Sequence, residues 1–126
     1  MYNEKVMEHF RNPHNLKKIE DADGIGKVGN PICGDVMWCF IKVGKNKAGK
    51  EVINDIGFQT FGCVSAIATS SMTTDLAMGA TIEDAKKITR SSISDALGKL
   101  PPIKEHCSNL AAEALHKAIE DYEKKK

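Results

Sequence analysis

The fold is decided by the stretch FGCVSAIA, residues 61–68, where one pattern of residues gives way to another. The residues before it, Val52–Phe61, are rich in the β-branched and aromatic types of a strand. The residues after it, Val64–Met78, recur with the period of a helix. Gly62 leaves this strand-to-helix corner sterically free. Cys63 therefore lies at the start of a helix, where unpaired N–H groups and the helix dipole favour the thiolate.

Immediately upstream, Val36–Val43 is apolar at nearly every position and is predicted to be a second strand. One alternating face of it is predicted to be core and consists of Met37, Cys39, Ile41 and Val43. The opposite face ends in Lys42 and is expected to face solvent, which would expose Trp38 and Phe40. Two interpretations of these aromatic side chains stay open: a partner or dimer surface, or a cover supplied by the N-terminal segment.

The other segments complete an α+β fold. They are, in chain order, a helix over residues 3–11 capped by Asn3, an edge strand over Ile25–Asn30, helices after Thr81 and over Ser92–Leu97, and a last helix from about Glu105. The helix after Cys63 is expected to pack on the sheet through Ala66, Ile67, Ser70, Ser71, Thr74 and Met78. The loop 44–50 joins the two longer strands as a hairpin. We expect a single domain, residues 1–126, with an antiparallel three-stranded sheet packed against helices and a long C-terminal helix.

Composition narrows the classes of function. Apolar residues make up 41% and charged residues 28% of the chain, as in ordinary soluble proteins. The net charge of +1 gives no electrostatic reason to expect nucleic acid or an anionic membrane as a partner. No apolar run approaches the roughly 18–20 residues of a membrane span, and the first residues lack the apolar region of a signal peptide. We therefore expect a cytoplasmic protein with reduced thiols.

Three cysteines have neighbours typical of turns and of metal ligands. Cys33 lies two residues before Asp35, and Cys107 follows His106 directly. Together with Cys63 they are tens of residues apart, so a zinc ribbon built on local CxxC pairs is excluded. Three thiolates from three loops suit Zn, Cu(I) or an iron–sulfur cluster, with Asp35 or His106 as a fourth ligand. An oxygen ligand would make the site less inert, which favours transfer or catalysis over a structural role.

Other interpretations of these residues stay open. Any cysteine can be a small buried apolar residue, and this is the interpretation we adopt for Cys39. His106 could act as a base for Cys33 or Cys63 in a Cys/His hydrolase. A zinc-dependent sulfur-transfer enzyme and a small interaction domain are further alternatives. Three histidines, His9, His14 and His116, have charged neighbours and are expected to be surface residues.

The three cysteine motifs resemble those of the IscU/NifU-type iron–sulfur cluster scaffold proteins. They are GNPICGDVM at residues 29–37, FGCVSAIA at 61–68 and LPPIKEHCS at 100–108, and HFRNPHN at 9–15 is similar to the start of the same family. The resemblance covers nearly the whole chain. It implies a scaffold and carrier rather than an enzyme, without catalytic residues.

The resemblance also implies a ligand set and a source of sulfur. Cys33, Cys63 and Cys107 would hold a transient 2Fe–2S cluster, and Asp35 or His106 would complete the coordination. Asp35 would keep the cluster labile. Cys107 would accept persulfide sulfur from a cysteine desulfurase. Fe(II) would be the iron source, and the isolated protein could carry Zn.

Further partners are implied in the same way. Leu100, Pro101, Pro102, Ile103 and Lys104 resemble the segment bound by a DnaK-type chaperone that acts with a co-chaperone. A Pro-Pro segment is already extended, so a peptide groove orders little chain on binding it. Ferredoxin and apo-protein acceptors are expected as further partners, and a homodimer is possible.

The sequence departs from the family pattern at a few positions. Val64 replaces a small residue after the second cysteine, Cys39 is an extra cysteine, and Trp38 and Phe40 replace polar residues. The second and third motifs are not separated by the long insertion of SufU proteins, which favours the Isc/Nif type. The further domains of full-length NifU are not expected.

Overall fold

The computed structural model describes residues 4–30, 35–61, 64–98 and 105–125. Its elements are α1 (Glu4–Arg11), β1 (Gly24–Asn30), β2 (Asp35–Lys45), β3 (Glu51–Phe61), α2 (Val64–Ala77), α3 (Ile82–Lys86), α4 (Arg90–Ala96) and α5 (Glu105–Lys125). The predicted helices and strands are thus confirmed in kind and order. The predicted cap Asn3 lies outside the described residues.

The three strands form one antiparallel sheet in the order β1-β2-β3. Cys39 in the central strand pairs with Gly26 on one side and with Phe58 on the other. A register shift between Lys42 and Val43 interrupts the pairing of β2 with β3. The predicted hairpin and the antiparallel arrangement are both confirmed.

One face of the sheet forms the core with α2 and α5. Its largest members, all fully buried, are Met37, Ile41, Ile53, Ile56 and Phe58. Cys39 is buried among them, as predicted, and burial raises the pKa of its thiol well above the usual value. Alternating apolar residues in the strands therefore place one continuous apolar layer under the helices.

Helix α2 packs closely because its buried residues are small. Many of them carry hydroxyl groups, and two of these bond within the helix: Thr73 Oγ1 donates to the carbonyl of Thr69 at 2.6 Å, and Thr74 Oγ1 to that of Ser71 at 2.7 Å. Ser70 also directs its hydroxyl at the sulfur of Met37, 3.8 Å away. The prediction that Met78 belongs to this packed stripe is wrong. Met78 lies beyond the end of α2 and is 38% exposed.

The ends of the later helices follow ordinary capping rules. Thr81 caps α3 by accepting the N–H of Asp84 at 3.1 Å, as predicted. Thr89 and Ser92 form a capping box, so α4 starts at Arg90 rather than at the predicted Ser92. Gly79 follows α2 with φ +80°, the left-handed conformation that favours glycine.

The outer face of the sheet is more covered than the sequence suggested. Phe40 is only 4% exposed, so the expectation of an exposed Phe40 is wrong. Its neighbour across the strands is Gly57, where an added Cβ would overlap the carbonyl oxygen of Lys17. The N-terminal segment therefore covers this part of the sheet. Trp38 is half-buried, with the Nζ of Lys27 at 5.3 Å from its ring centroid.

Across the described ranges, no helix combines the length and the apolar character needed to cross a lipid bilayer.

Candidate functional site

The chain segments that flank two of the predicted cysteines meet at one end of the sheet. Asn30, the last residue of β1, pairs with Asp35, the first residue of β2. The next residue of β2, Val36, pairs with Phe61, the last residue of β3. Helix α2 begins three residues later, at Val64. Cys33 and Cys63 lie outside the described residues; in the sequence, Cys33 follows Asn30 and precedes Asp35, and Cys63 follows Phe61 and precedes Val64.

Helix α5 brings the third motif toward the same end, because it runs opposite to β1. An added Cβ at Gly24 would overlap the carbonyl oxygen of Ala118, whereas one at Gly26 would overlap that of Ala114. Residues nearer the C-terminal end of β1 thus contact residues nearer the N-terminal end of α5, so the strand and the helix run antiparallel. The first turn of α5 therefore lies toward the end of the sheet that contains Asn30.

The remaining predicted ligands lie in elements with described backbone. Asp35 is the first residue of β2, and His106 and Cys107 are in the first turn of α5. Their side chains lie outside the described part of the structure, so their role as ligands stays a prediction. The predicted chaperone segment, Leu100, Pro101, Pro102, Ile103 and Lys104, lies outside the described residues as well.

The described surroundings of this end suit a thiolate. The first turn of α2 contributes no acidic side chain, so within the described residues no carboxylate of that turn offsets the positive end of the helix dipole. Val64 is half-buried and packs against the core. Thr60 Oγ1 donates to the carbonyl oxygen of Val36 at 2.9 Å, which ties the ends of β2 and β3 together. A thiolate next to this helix start would meet a dipole of the sign that stabilises an anion.

A second group of side chains, missed by the sequence analysis, lies between α1, the following loop and α2. His9 is only 8% exposed, and its Nδ1 is 2.7 Å from Ser71 Oγ. The Nδ1 of His14 is 2.8 and 2.9 Å from the two carboxylate oxygens of Asp75. Burial lowers the pKa of His9, and the carboxylate of Asp75 partly offsets this. We call His9, His14 and Asp75 the histidine cluster.

The expectation of three surface histidines is therefore wrong for His9, which is buried, and holds only in part for His116. His116 is half-buried, with its Nε2 at 2.8 Å from the carbonyl oxygen of Ile88. Of these three histidines, His14 alone is exposed. One signal was available: His9 follows Val6 by three residues and so shares the buried face of α1.

Comparisons of this chain with known proteins point to the same family that the three cysteine motifs resemble. Residues 1–126 match the family described as NifU-like N terminal domain. The chain is 61% identical over 125 residues to iron-sulfur cluster assembly scaffold protein IscU 1 of Archaeoglobus fulgidus, covering 99% of this chain and 78% of that one. It is 52% identical over 121 residues to the IscU scaffold protein of Aquifex aeolicus, covering 96% and 75%.

A solved structure supports the fold. The N-terminal NifU-like protein of Brucella abortus superimposes with a TM-score of 0.74 over 98% of this chain and 95% of that one, at 17% identity. At that identity the likeness concerns the fold alone. The family match over the whole length and the identity to the two scaffold proteins go further, and from them it follows that this chain belongs to the NifU-like N-terminal domain family.

Proposed function

We propose that the chain is a scaffold on which a nascent 2Fe–2S cluster is assembled and from which it passes to apo-proteins. The observation that carries this proposal is the meeting of the described ends that flank the cysteine motifs at one end of the sheet. Its relatives in Archaeoglobus fulgidus and Aquifex aeolicus are named as scaffolds for cluster assembly and not as enzymes. We therefore treat the cluster as cargo.

Cys33, Cys63 and Cys107 are the proposed thiolate ligands. Asp35 or His106 would complete the coordination from the first residue of β2 or the first turn of α5. Thiolates bind iron–sulfur clusters well, whereas a carboxylate oxygen is a harder and weaker partner for them. A mixed ligand set of this kind holds a cluster long enough to build it and still lets it leave.

Sulfur would arrive as a persulfide from a cysteine desulfurase. The thiolate of Cys107 attacks the terminal sulfur of the donor persulfide, the donor leaves as a thiolate, and Cys107 becomes the persulfide. Two such sulfur atoms require four electrons to become two sulfides. Oxidation of two Fe(II) ions to Fe(III) supplies two of these, and a donor such as a ferredoxin supplies the other two.

The remaining partners are those that the resemblance to the scaffold family implies. A DnaK-type chaperone with its co-chaperone would bind Leu100, Pro101, Pro102, Ile103 and Lys104 as an extended peptide and so promote release. The cysteines must be free thiols before they can bind the cluster or accept persulfide sulfur, so we expect the activity in a reducing compartment such as the cytoplasm. A homodimer that bridges one cluster is a further form of the scaffold.

Anaerobic reconstitution with Fe(II), cysteine and a cysteine desulfurase tests the proposal. We expect visible charge-transfer absorption together with iron and sulfide in equal amounts on the protein. Colourless protein that takes up no sulfide and retains a stoichiometric zinc ion on its cysteines would overturn the proposal in favour of a zinc-binding thiol sulfur-transfer protein.

A further inference from the structure

The histidine cluster presents three ligand atoms to one small volume. His14 Nδ1 lies 2.8 Å from Asp75 Oδ2, and His9 Nε2 lies 4.0 Å from the same oxygen. One ligand atom from each of the three residues can be chosen so that all three lie within 4.8 Å of one another. The two imidazole rings are 4.9 Å apart between centroids and are inclined at 56°, so they are not stacked on each other.

We propose that His9, His14 and Asp75 form a binding site for a divalent transition-metal ion of the Zn²⁺ class. Two imidazoles and one carboxylate are a ligand set used for Zn²⁺ and for non-haem Fe(II). Tetrahedral coordination with the usual bond lengths separates the ligand atoms by about 3.4 Å. The two separations from Asp75, 2.8 and 4.0 Å, bracket that value, and the two histidine nitrogens lie within 4.8 Å of each other, so an ion would draw the three side chains together.

Ser71 orients His9 for such a role. Its Oγ is 2.7 Å from Nδ1 of His9 and accepts the backbone N–H of His14 at 2.8 Å. When Nδ1–H of His9 donates to this oxygen, Nε2 keeps its lone pair for a ligand, and it lies 4.0 Å from Asp75 Oδ2. A ligand histidine commonly donates its other ring N–H in this way, which fixes the tautomer and the ring orientation.

The loop that contains His14 is held against α2 at further points. Asn15 Nδ2 donates to Thr74 Oγ1 at 3.1 Å, and Thr74 Oγ1 lies 3.3 Å from the carbonyl oxygen of His14. The three ligands therefore come from two helices and a pinned loop. Such support keeps the ligand atoms in place before an ion arrives, which lowers the cost of binding.

The proposed ion lies far from the proposed cluster site and does not depend on it. Asp75 follows Val64 by eleven residues on α2. At roughly 1.5 Å per residue this is about 16 Å along the helix axis. An ion at the histidine cluster would join the N-terminal segment to α2 and stabilise the folded chain by mass action. It would also give the isolated protein a zinc site that uses no cysteine.

Histidine-selective NMR of the full chain with Zn²⁺ alone as the added metal tests this inference. We expect the ring signals of His9 and His14 to shift or broaden with Zn²⁺ and those of His116 to stay unchanged. His14→Asn should weaken this binding at least tenfold, and Ser71→Ala should weaken it by 10- to 100-fold, the usual range for loss of such a partner. His116→Asn is the matched control and should bind as the wild type does.

Zinc stoichiometry separates this site from the cysteines. A chain with Cys33→Ser, Cys63→Ser and Cys107→Ser should still bind one Zn²⁺, and adding His14→Asn should remove it. His14 is exposed, so its substitution leaves the core intact, and circular dichroism checks this. If Zn²⁺ leaves the signals of His9 and His14 unmoved, or if the stoichiometry is insensitive to His14→Asn, the inference is wrong.

Discussion

The two candidate metal-binding regions of this protein are built in different ways. The cysteine motifs lie where strands end and helices begin, so each motif can be read from a few adjacent residues. The histidine cluster combines His9 of α1 and His14 of the following loop with Asp75 of α2. The first two are more than 50 residues away from α2 in the chain. The first region can be predicted from local sequence, whereas the second exists only through tertiary packing. The following predictions test whether the two regions are as separate in function as they are in construction.

The largest expected effect is the loss of cluster assembly in Cys63→Ser. A serine hydroxyl is a poor substitute for a thiolate at iron, so reconstitution should leave the variant without sulfide. Zn²⁺ binding at the histidine cluster should be unchanged. Cys39→Ala is the matched control: this buried cysteine belongs to the core, and its variant should assemble a cluster as the wild type does. A Cys39→Ala chain that fails to assemble while remaining folded would contradict the separation of core and site.

The second prediction concerns the close packing of α5 against β1. Gly26→Ala would place a Cβ against the backbone of Ala114 and force α5 away from the sheet. Overpacking of this kind costs about 1–3 kcal/mol or more, which urea denaturation would measure. Gly44→Ala is the control, since its Cβ would lie 3.4 Å from that of Asn54 and meet only ordinary contacts. Equal unfolding free energies for the two variants would contradict the close approach of α5.

Third, Asp35→Ala should slow the loss of an assembled cluster. The proposed reason is that a carboxylate oxygen gives the cluster an easy point of exchange, which alanine removes. The rate of decay of the visible absorption under air or with a chelator measures this. His14→Asn, which alters the other region, should decay at the wild-type rate. Release from Asp35→Ala at the wild-type rate would argue against the labile-ligand explanation.

The smallest expected effect lies at the far end of α5. The Asp121 carboxylate accepts the N–H of Ile25 at 2.9 Å and pairs with Lys125 at 3.0 Å. The pKa of Asp121 is lowered most by the hydrogen bond from the Ile25 N–H and next by the hydrogen bond from Lys125. Because the pKa of Asp121 is lower in the folded chain than its ordinary value near 3.8, the ionised carboxylate stabilises the fold at pH values above 3.8. This contribution is lost as the pH falls through the folded-state pKa.

Asp121→Asn should therefore be less stable than the wild type at pH 7, by less than about 1 kcal/mol because the side chain is partly exposed. The difference should shrink as the pH is lowered below 4. Thermal denaturation across this range measures it, with Glu120→Gln on the same helix as a control. A difference between wild type and Asp121→Asn that is independent of pH would contradict the electrostatic origin.

Much of the fold could be predicted because local patterns and tertiary structure agree. The strand from Val36 to Val43, the helix after Gly62 and the ends at Gly79 and Thr81 follow from alternation, helical period and capping chemistry. For Phe40 the sequence left two interpretations open, a partner surface or cover by the N-terminal segment, because alternation alone does not show what covers the second face of a sheet. That cover comes from Lys17 and its neighbours, an irregular stretch without periodicity.

The cysteine motifs and the histidine cluster also differ in how far local sequence predicts them. The cysteine motifs were identified because residues typical of turns or of metal ligands adjoin each thiol: Pro31, Gly34 and Asp35 near Cys33, Gly62 beside Cys63, and Glu105 and His106 beside Cys107. His9 was missed because its partners, Ser71 and Asp75, are brought to it only by the packing of α1 on α2. Charged neighbours in sequence suggested exposure, but on a helix adjacent residues point in different directions.

Transfer of a cluster to an apo-ferredoxin acceptor tests the central claim most directly. The reconstituted protein, freed of excess iron and sulfide, would be mixed anaerobically with the acceptor, and the iron and sulfide of each protein would be assayed after separation. We predict that iron and sulfide move together, in equal amounts, from this chain to the acceptor. Iron and sulfide that stay on the chain, or an acceptor that acquires iron without sulfide, would contradict a scaffold that builds and releases clusters.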